Sequence, residues 1–251
     1  MNEIIIRGKK LGSKKPSICI PITANNQNDL KKQLDMVIAS PPDLLEIRID
    51  FWDEFLMEEM DENLKHIRLK VNETPIIATY RTLEEGGKGT FNQEELYALY
   101  SNFVRHPIID VVDIEISQGK DIILKVLGEN KQYNKKILLS YHNFNETPSE
   151  ENMMHTLVEA VLLGGDLVKI AVMPQNNGDV LRLLETVYKA YTRLNVPVIA
   201  ISMGQLGKIT RIFGGLFGSG ITFSCLEGLS SAPGQIDIKK MKKYIQEMYE
   251  E

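Results

Sequence analysis

Eight short apolar runs recur along the chain, at residues 17–23, 43–50, 75–81, 111–117, 135–142, 167–174 and 196–203, with a weaker one around 221–225. The stretches between them carry apolar residues at helical spacing: Leu30, Leu34 and Ile38; Met154, Leu157, Val158 and Val161; Val180, Leu184, Val187 and Tyr191; Ile238, Met241, Ile245 and Met248. Thr147-Pro148-Ser149-Glu150 reads as a capping box with proline at the first helical position, which predicts a helix start there. Runs this apolar suit strands covered on both faces, and strands alternating with helices predict a parallel sheet with helices outside. Eight such units are the number that closes into a (β/α)8 TIM barrel. An open doubly wound sheet would show a glycine-rich first turn, but the first run leads into Thr23-Ala24-Asn25-Asn26-Gln27. Ahead of it, Ile4-Ile5-Ile6 and Arg7-Gly8-Lys9-Lys10-Leu11-Gly12 predict a short N-terminal β-hairpin that closes the barrel bottom. With no linker, low-complexity tract or repeat, residues 1–251 read as a single barrel domain.

The length of 251 residues suits that barrel, which typically needs about 250. A net charge of −5 without a prominent basic patch argues against a nucleic-acid partner. Cys19 and Cys225 both lie in apolar runs, as reduced core thiols of a cytoplasmic protein do, and not in a disulfide framework. The first residues, Met-Asn-Glu-Ile-Ile-Ile-Arg, lack the basic region and long apolar stretch of a secretory leader. No apolar run approaches the length of about 20 residues that a membrane span needs.

Chemistry enters with Lys169, alone in Leu167-Val168-Lys169-Ile170-Ala171-Val172-Met173. A lysine reaching solvent from a strand end would look the same, but a buried amine loses its proton more readily and can attack a carbonyl to form a Schiff base. Barrel sites form at the C-terminal strand ends. There the second run offers Glu46, Arg48 and Asp50 at period two, the third ends in Thr79-Tyr80-Arg81, and the fourth carries Asp113 and Glu115. Inside a barrel such charges must pair with one another or hold something polar, and the two acids of the fourth run suit the orientation of cationic neighbours. The loop Leu83-Glu84-Glu85-Gly86-Gly87-Lys88-Gly89 has glycines that predict mobility. The fifth run ends in His142, placing an imidazole on the strand next to that of Lys169, where it suits proton abstraction near pH 7. His66, His106 and His155 fall away from strand ends. One rim histidine and no clustered cysteines make a metal site unexpected. Arg211 within the glycine-rich stretch from Gly207 to Gly220 predicts an anion site, although those glycines could equally permit close helix packing.

Taken in order, Glu46-Ile47-Arg48-Ile49-Asp50, Thr79-Tyr80-Arg81 with Glu84-Glu85-Gly86-Gly87, Tyr141-His142-Asn143-Phe144, Lys169-Ile170-Ala171-Val172-Met173-Pro174, Ser202-Met203 with Arg211, Phe217-Gly218-Ser219 and Ser231-Ala232-Pro233-Gly234-Gln235 resemble type I 3-dehydroquinate dehydratases. The resemblance runs from the second strand to the last helix. It implies an eight-stranded barrel without a cofactor, frequently a homodimer, that dehydrates 3-dehydroquinate to 3-dehydroshikimate in the shikimate pathway. It also implies that Lys169 forms the Schiff base, that His142 removes the proton alpha to the iminium and then acts as acid, and that Glu85 orients His142. Arg211, Ser231 and Gln235 would hold the substrate carboxylate, and Glu46, Arg48 and Arg81 the ring hydroxyls. Of the adjacent serines, Ser231 is chosen over Ser230 because it directly precedes Ala232-Pro233. Gly86 and the segment Ser230–Gln235 are expected to close over bound substrate.

Two rival readings remain. A class I Schiff-base aldolase shares the lysine but needs a phosphate nest, for which Gly214–Gly220 would serve; a pyridoxal phosphate barrel is the weaker variant of that idea. The non-enzyme alternative is a barrel kept as a metabolite sensor, disfavoured because neither nucleophile nor base is missing.

Overall fold

The computed structural model describes residues 3–12 and 15–250; Met1, Asn2, Ser13, Lys14 and Glu251, which the single-domain span and leader reading also take in, lie outside them. Eight parallel strands form the barrel: β3 (Ser17–Ile22), β4 (Leu44–Arg48), β5 (Ile76–Thr79), β6 (Val111–Glu115), β7 (Lys136–Asn143), β8 (Leu167–Val172), β9 (Val198–Ser202) and β10 (Ile221–Phe223). The hairpin strands β1 (Ile4–Ile6) and β2 (Lys9–Leu11) precede them. From β3 to β9 each barrel strand pairs with the next in sequence, and β10 returns to β3. The seam between β9 and β10 is held differently. Gly220 N–H donates to the Val198 carbonyl at 2.8 Å, and Ser219 Oγ accepts from Ala200 N–H at 3.1 Å. All eight apolar runs are therefore barrel strands, though the second stops at Arg48, with Asp50 in the 3-10 turn Ile49–Phe51 that follows.

The hairpin closes the barrel bottom as expected. Arg7 and Gly8 form its turn with positive φ, 48° and 73°, as a type I′ turn requires. This turns Ile6 and Leu11 inward onto Leu44, Ile77, Val111 and Leu138. Arg7 Nε bonds Asp110 at 2.7 Å, fixing the hairpin to the loop before β6.

Helices cover the outside: α1 (Gln27–Ala39), α2 (Glu54–Glu58), α3 (Met60–Val71), α4 (Gln93–Arg105), α5 (Lys120–Asn130), α6 (Glu150–Leu163), α7 (Asn177–Arg193), α8 (Gly204–Phe213) and α9 (Ile238–Tyr249). Leu30, Leu34, Val180, Leu184, Val187, Ile238, Met241 and Ile245 are buried as their spacing predicts. Four helix details differ. In α6, Met153, Leu157 and Ala160 are buried while Met154, Val158 and Val161 are only half-buried, and Met248 of α9 is exposed. In α1 the third core residue is Val37, and Ile38 is 47% exposed. At α6 the cap is Ser149, whose Oγ accepts from Asn152 N–H, because Thr147 Oγ1 is engaged in donating to the Met173 carbonyl at 3.1 Å. Both cysteines are free and buried. Among the described residues no helix is long and apolar enough to cross a membrane.

Candidate active site

Alternation along the strands stacks the barrel interior in layers. The floor is apolar, built from Cys19, Leu44, Ile77, Val111, Leu138, Leu167, Ile199 and Ile221. One step up, Glu46, Thr79, Asp113, Ser140 and Lys169 follow at period two. The rim carries Arg48, Arg81, Glu115, His142, Ala171 and Met203. In the β7–β8 register Ser140 pairs with Lys169 and His142 with Ala171, so the amine and the imidazole share the interior face of adjacent strands. The nine residues singled out from sequence, Lys169, His142, Glu85, Glu46, Arg48, Arg81, Arg211, Ser231 and Gln235, line one cavity at this end of the barrel.

Within it, most charges are compensated. Arg48 makes a two-pronged bond to Asp50, 2.8 and 2.7 Å, and Asp50 also accepts from Lys88 N–H. Arg81 contacts Asp113 at 2.5 Å, Glu115 at 3.1 Å and Ser140 Oγ at 2.9 Å. Burial opposes the charge on Arg81, but Asp113, Glu115 and Glu85 together outweigh it and raise its pKa. Asp113 and Glu115 thus take the orienting part expected of them. Thr79 Oγ1 donates to Glu46 at 3.0 Å.

Three groups are set apart. Lys169 is 5% exposed and lies over the Phe223 ring at 4.1 Å. Burial lowers its pKa against the pull of Glu46 and Asp113. His142 Nδ1 lies 2.8 Å from Glu85 Oε2, which also accepts from the His142 backbone N–H at 3.1 Å. Burial, then Arg81, Lys169 and Arg48, push the imidazole well below its ordinary pKa. Burial also pushes Glu85 up to about 7, with Arg81 opposing. Burial thus favours the neutral imidazole, and Glu85 at Nδ1 selects its tautomer. Arg211 is 2% exposed and donates to the backbone carbonyls of Phe223 and Pro233, each at 3.0 Å, while its Nε has no partner among the described residues. Burial lowers its pKa to about 10, with Cys225 the only opposing influence. A guanidinium held this way is ready for an anion.

Gln235 Oε1 accepts from Ser231 N–H at 2.7 Å, and Gln235 Nε2 donates to Ser231 Oγ at 3.0 Å. Ser231 lines the cavity and Ser230 does not. The glycine expectations need correcting. Gly86 has φ +79° and faces the Phe144 ring, and a Cβ on Gly87 would overlap the Arg81 carbonyl. Gly87 N–H donates to the Thr82 carbonyl at 2.8 Å and Gly89 N–H to that of Arg81 at 2.9 Å. These glycines let a tightly bonded loop pack closely, which is a different use from mobility. Gly207 and Gly218 likewise abut Ser202 and Tyr191, and of the stretch Gly207–Gly220 only Arg211 reaches the cavity.

Phe144, Ile201, Met203 and Phe223 also line the cavity, although no role is legible for them in sequence. Phe144 and Met203 stand within the motifs Tyr141-His142-Asn143-Phe144 and Ser202-Met203, and period-two spacing puts Ile201 with Met203, and Phe223 with Ile221, on the interior face. His106 caps α4 with its imidazole 3.5 Å from Asp61, away from this cavity. Among the described residues no group of three or more His, Cys, Asp or Glu could hold a metal.

The type I 3-dehydroquinase family model matches residues 18–251. A 3-dehydroquinate dehydratase of Listeria monocytogenes is 33% identical over 243 residues, covering 96% of both chains. That of Shouchella clausii is 36% identical over 233 residues, covering 92% of this chain and 91% of the other. The crystal structure of 3-dehydroquinate dehydratase from Geobacillus kaustophilus superimposes with a TM-score of 0.93 at 33% identity over 100% of both chains. A type I enzyme from Clostridium difficile, solved with covalently modified comenic acid, gives 0.93 at 31% identity over 98% and 97%. Fold, motif order and full-length similarity agree: the chain belongs to the type I 3-dehydroquinase family.

Proposed function

We propose that this protein eliminates water from 3-dehydroquinate, giving 3-dehydroshikimate, through an imine on Lys169. The observation that carries the reading is one buried lysine beside a buried histidine and an arginine without a carboxylate partner among the described residues, all lining a single cavity. The deprotonated amine of Lys169 attacks the ketone, and loss of water from the adduct gives an iminium that draws electrons from the adjacent carbon. His142 Nε2 takes the proton from that carbon to form an enamine. The enamine then expels the beta hydroxyl, to which the same imidazole returns the proton, so that water leaves and the ring gains its double bond. Hydrolysis of the conjugated iminium frees Lys169. Arg211, with Ser231 and Gln235, holds the substrate carboxylate; Glu46, Arg48 and Arg81 hold the hydroxyls. Fixing the ring at both ends supplies the orientation that the elimination needs.

The absence of Gly214–Gly220 from the cavity wall disfavours the aldolase alternative, whose phosphate would need that backbone. A homodimer working in the cytoplasm belongs to the same proposal and is read by light scattering and fractionation. The central test is borohydride reduction in the presence of 3-dehydroquinate. Enone formation should stop as a reduced adduct accumulates on Lys169, read by peptide mass spectrometry. An adduct on Lys88 or Lys208, or turnover with no trappable imine, refutes the assignment.

A further inference from the structure

The two oxygens of Glu85 are held differently. Oε2 takes both His142 contacts, whereas Oε1 accepts from Ser117 Oγ at 2.6 Å, its only hydrogen-bond donor among the described residues. Ser117 stands in the 3-10 turn Ile116–Gln118 after β6, ended by Gly119 at φ +88°. Its neighbour Gln118 donates to Glu115 at 2.9 Å, and Glu115 also accepts from Thr82 N–H, Thr82 Oγ1 and Arg81. Glu115 is therefore saturated, while Glu85 depends on one hydroxyl for half of its carboxylate. Ser117 also lines a separate solvent-facing groove with Thr82, Phe91 and Gln118.

We propose that Ser117 is a positioning residue for the elimination, fixing the plane and ionised form of Glu85 through Oε1 and thereby the tautomer and aim of His142. The proposal rests on His142 being the base. The terminal torsion of a glutamate is broad, so a carboxylate anchored at one oxygen can swing; anchors on both fix its plane. A hydroxyl has a single proton to give, and giving it to Oε1 favours the ionised carboxylate. The charged groups facing Glu85 are Arg81 from the end of β5, Asp113 and Glu115 from β6, and His142 from β7, with Lys169 and Arg48 facing the imidazole. None of them donates to Oε1. The elevation of Glu85 to about 7 places the loss of this bond where neutral-pH activity senses it.

The experiment compares Ser117→Val with Ser117→Thr in the full chain, because the two differ by little except the hydroxyl and the valine methyl obstructs a replacement water. Ser117 is exposed, so both variants should fold. Protonation of the coupled pair removes the base, and losing a bond to its ionised form raises the pH at which this happens. The acid limb of the kcat profile should therefore move up by about 0.5–1 pH unit in Ser117→Val, a roughly three- to tenfold change in proton binding. KM should change by less than about twofold, Ser117→Thr should follow the unchanged protein, and borohydride labelling of Lys169 should persist in both. Superimposable kcat profiles for Val and unchanged protein, or equal losses in Val and Thr, overturn the proposal. His142→Ala separates the two readings: if it keeps near-normal elimination the base assignment itself fails, and if it collapses while Ser117→Val is unaffected, only the role of Ser117 fails.

Discussion

Replacing Arg211 by methionine tests whether its buried charge serves a ligand or the fold. Its pKa of about 10, against the ordinary 12.5, means that the folded protein disfavours the charged guanidinium by about 3 kcal/mol. The sign follows from a cation whose folded pKa is lowered: the cost is fully present below pH 10, and therefore at pH 7, and fades between pH 10 and 12.5. Methionine removes that cost, but it also removes the bonds to the Phe223 and Pro233 carbonyls, worth about 1–3 kcal/mol each once those acceptors are left buried. The two effects nearly cancel. At about 2–4 °C per kcal/mol for a chain of this size, Tm of the ligand-free protein should fall by no more than about 10 °C. Catalysis should respond very differently. Loss of a charge-assisted, forked contact to a carboxylate costs roughly 2–4 kcal/mol, about 30- to 1,000-fold in kcat/KM measured by enone absorbance. Product should raise Tm of the unchanged protein and leave that of Arg211→Met where it is. A fall in Tm above about 10 °C with less than tenfold loss in kcat/KM would show that the arginine holds the Phe223 and Pro233 backbones together and does little for substrate.

Further outcomes follow from other contacts. His142→Ala should still form the trapped imine on Lys169 yet lose about 10²–10⁴ in single-turnover elimination; near-normal elimination rejects it as the base. Gly87→Ala drives a methyl into the Arg81 carbonyl, so it should destabilise by more than about 2 kcal/mol in urea melts; an unchanged midpoint rejects close packing as the reason for the glycine. The segment Ser230–Gln235 is tied down by the Pro233 carbonyl, which accepts from Gly204 N–H and Arg211, and product should strengthen that tether. Amides 228–236 should then gain hydrogen-exchange protection with product, and equal exchange in free and saturated protein rejects a closing lid.

The barrel was legible because its strands are buried on both faces, which makes their apolar runs continuous and their number countable. Polar residues interrupting those runs at period two then had to point inward, which is why Glu46, Arg81, His142 and Lys169 could be read together. Details governed by tertiary contact were not legible. Whether the third core residue of α1 falls at i+3 or i+4 depends on the angle at which the helix lies on the barrel, and Val37 took the place of Ile38. Thr147 could cap α6 by composition, but the Met173 carbonyl claimed its hydroxyl. Glycines carry the same ambiguity, since mobility and close approach both call for a missing Cβ; only the Arg81 carbonyl and the Phe144 ring distinguish the two around Gly86 and Gly87. Ser117 was invisible for a simpler reason: a serine in a turn has no pattern, and its importance lies in the carboxylate it meets.

The compensated and uncompensated charges of the interior divide the labour between folding and chemistry. A buried ion pair contributes little net stability but becomes costly when one partner is removed, so Arg48 with Asp50 and Arg81 with Asp113 and Glu115 form a frame that resists rearrangement. Among the described residues Lys169 and Arg211 have no carboxylate of their own in bonding contact, and burial depresses both pKa values. The same depression acts in opposite directions on function. For Lys169 it favours the free amine that attacks a ketone, whereas Arg211, still well above neutral at about 10, keeps its charge and loses only its water. One low-dielectric cavity thus yields a nucleophile from the residue whose charge it can remove and an anion clamp from the residue whose charge it cannot. Exchanging the two side chains should therefore abolish both activities while leaving the cavity's formal charge unchanged, and a double variant Lys169→Arg, Arg211→Lys that retained either imine trapping or product-dependent Tm gain would break this reasoning.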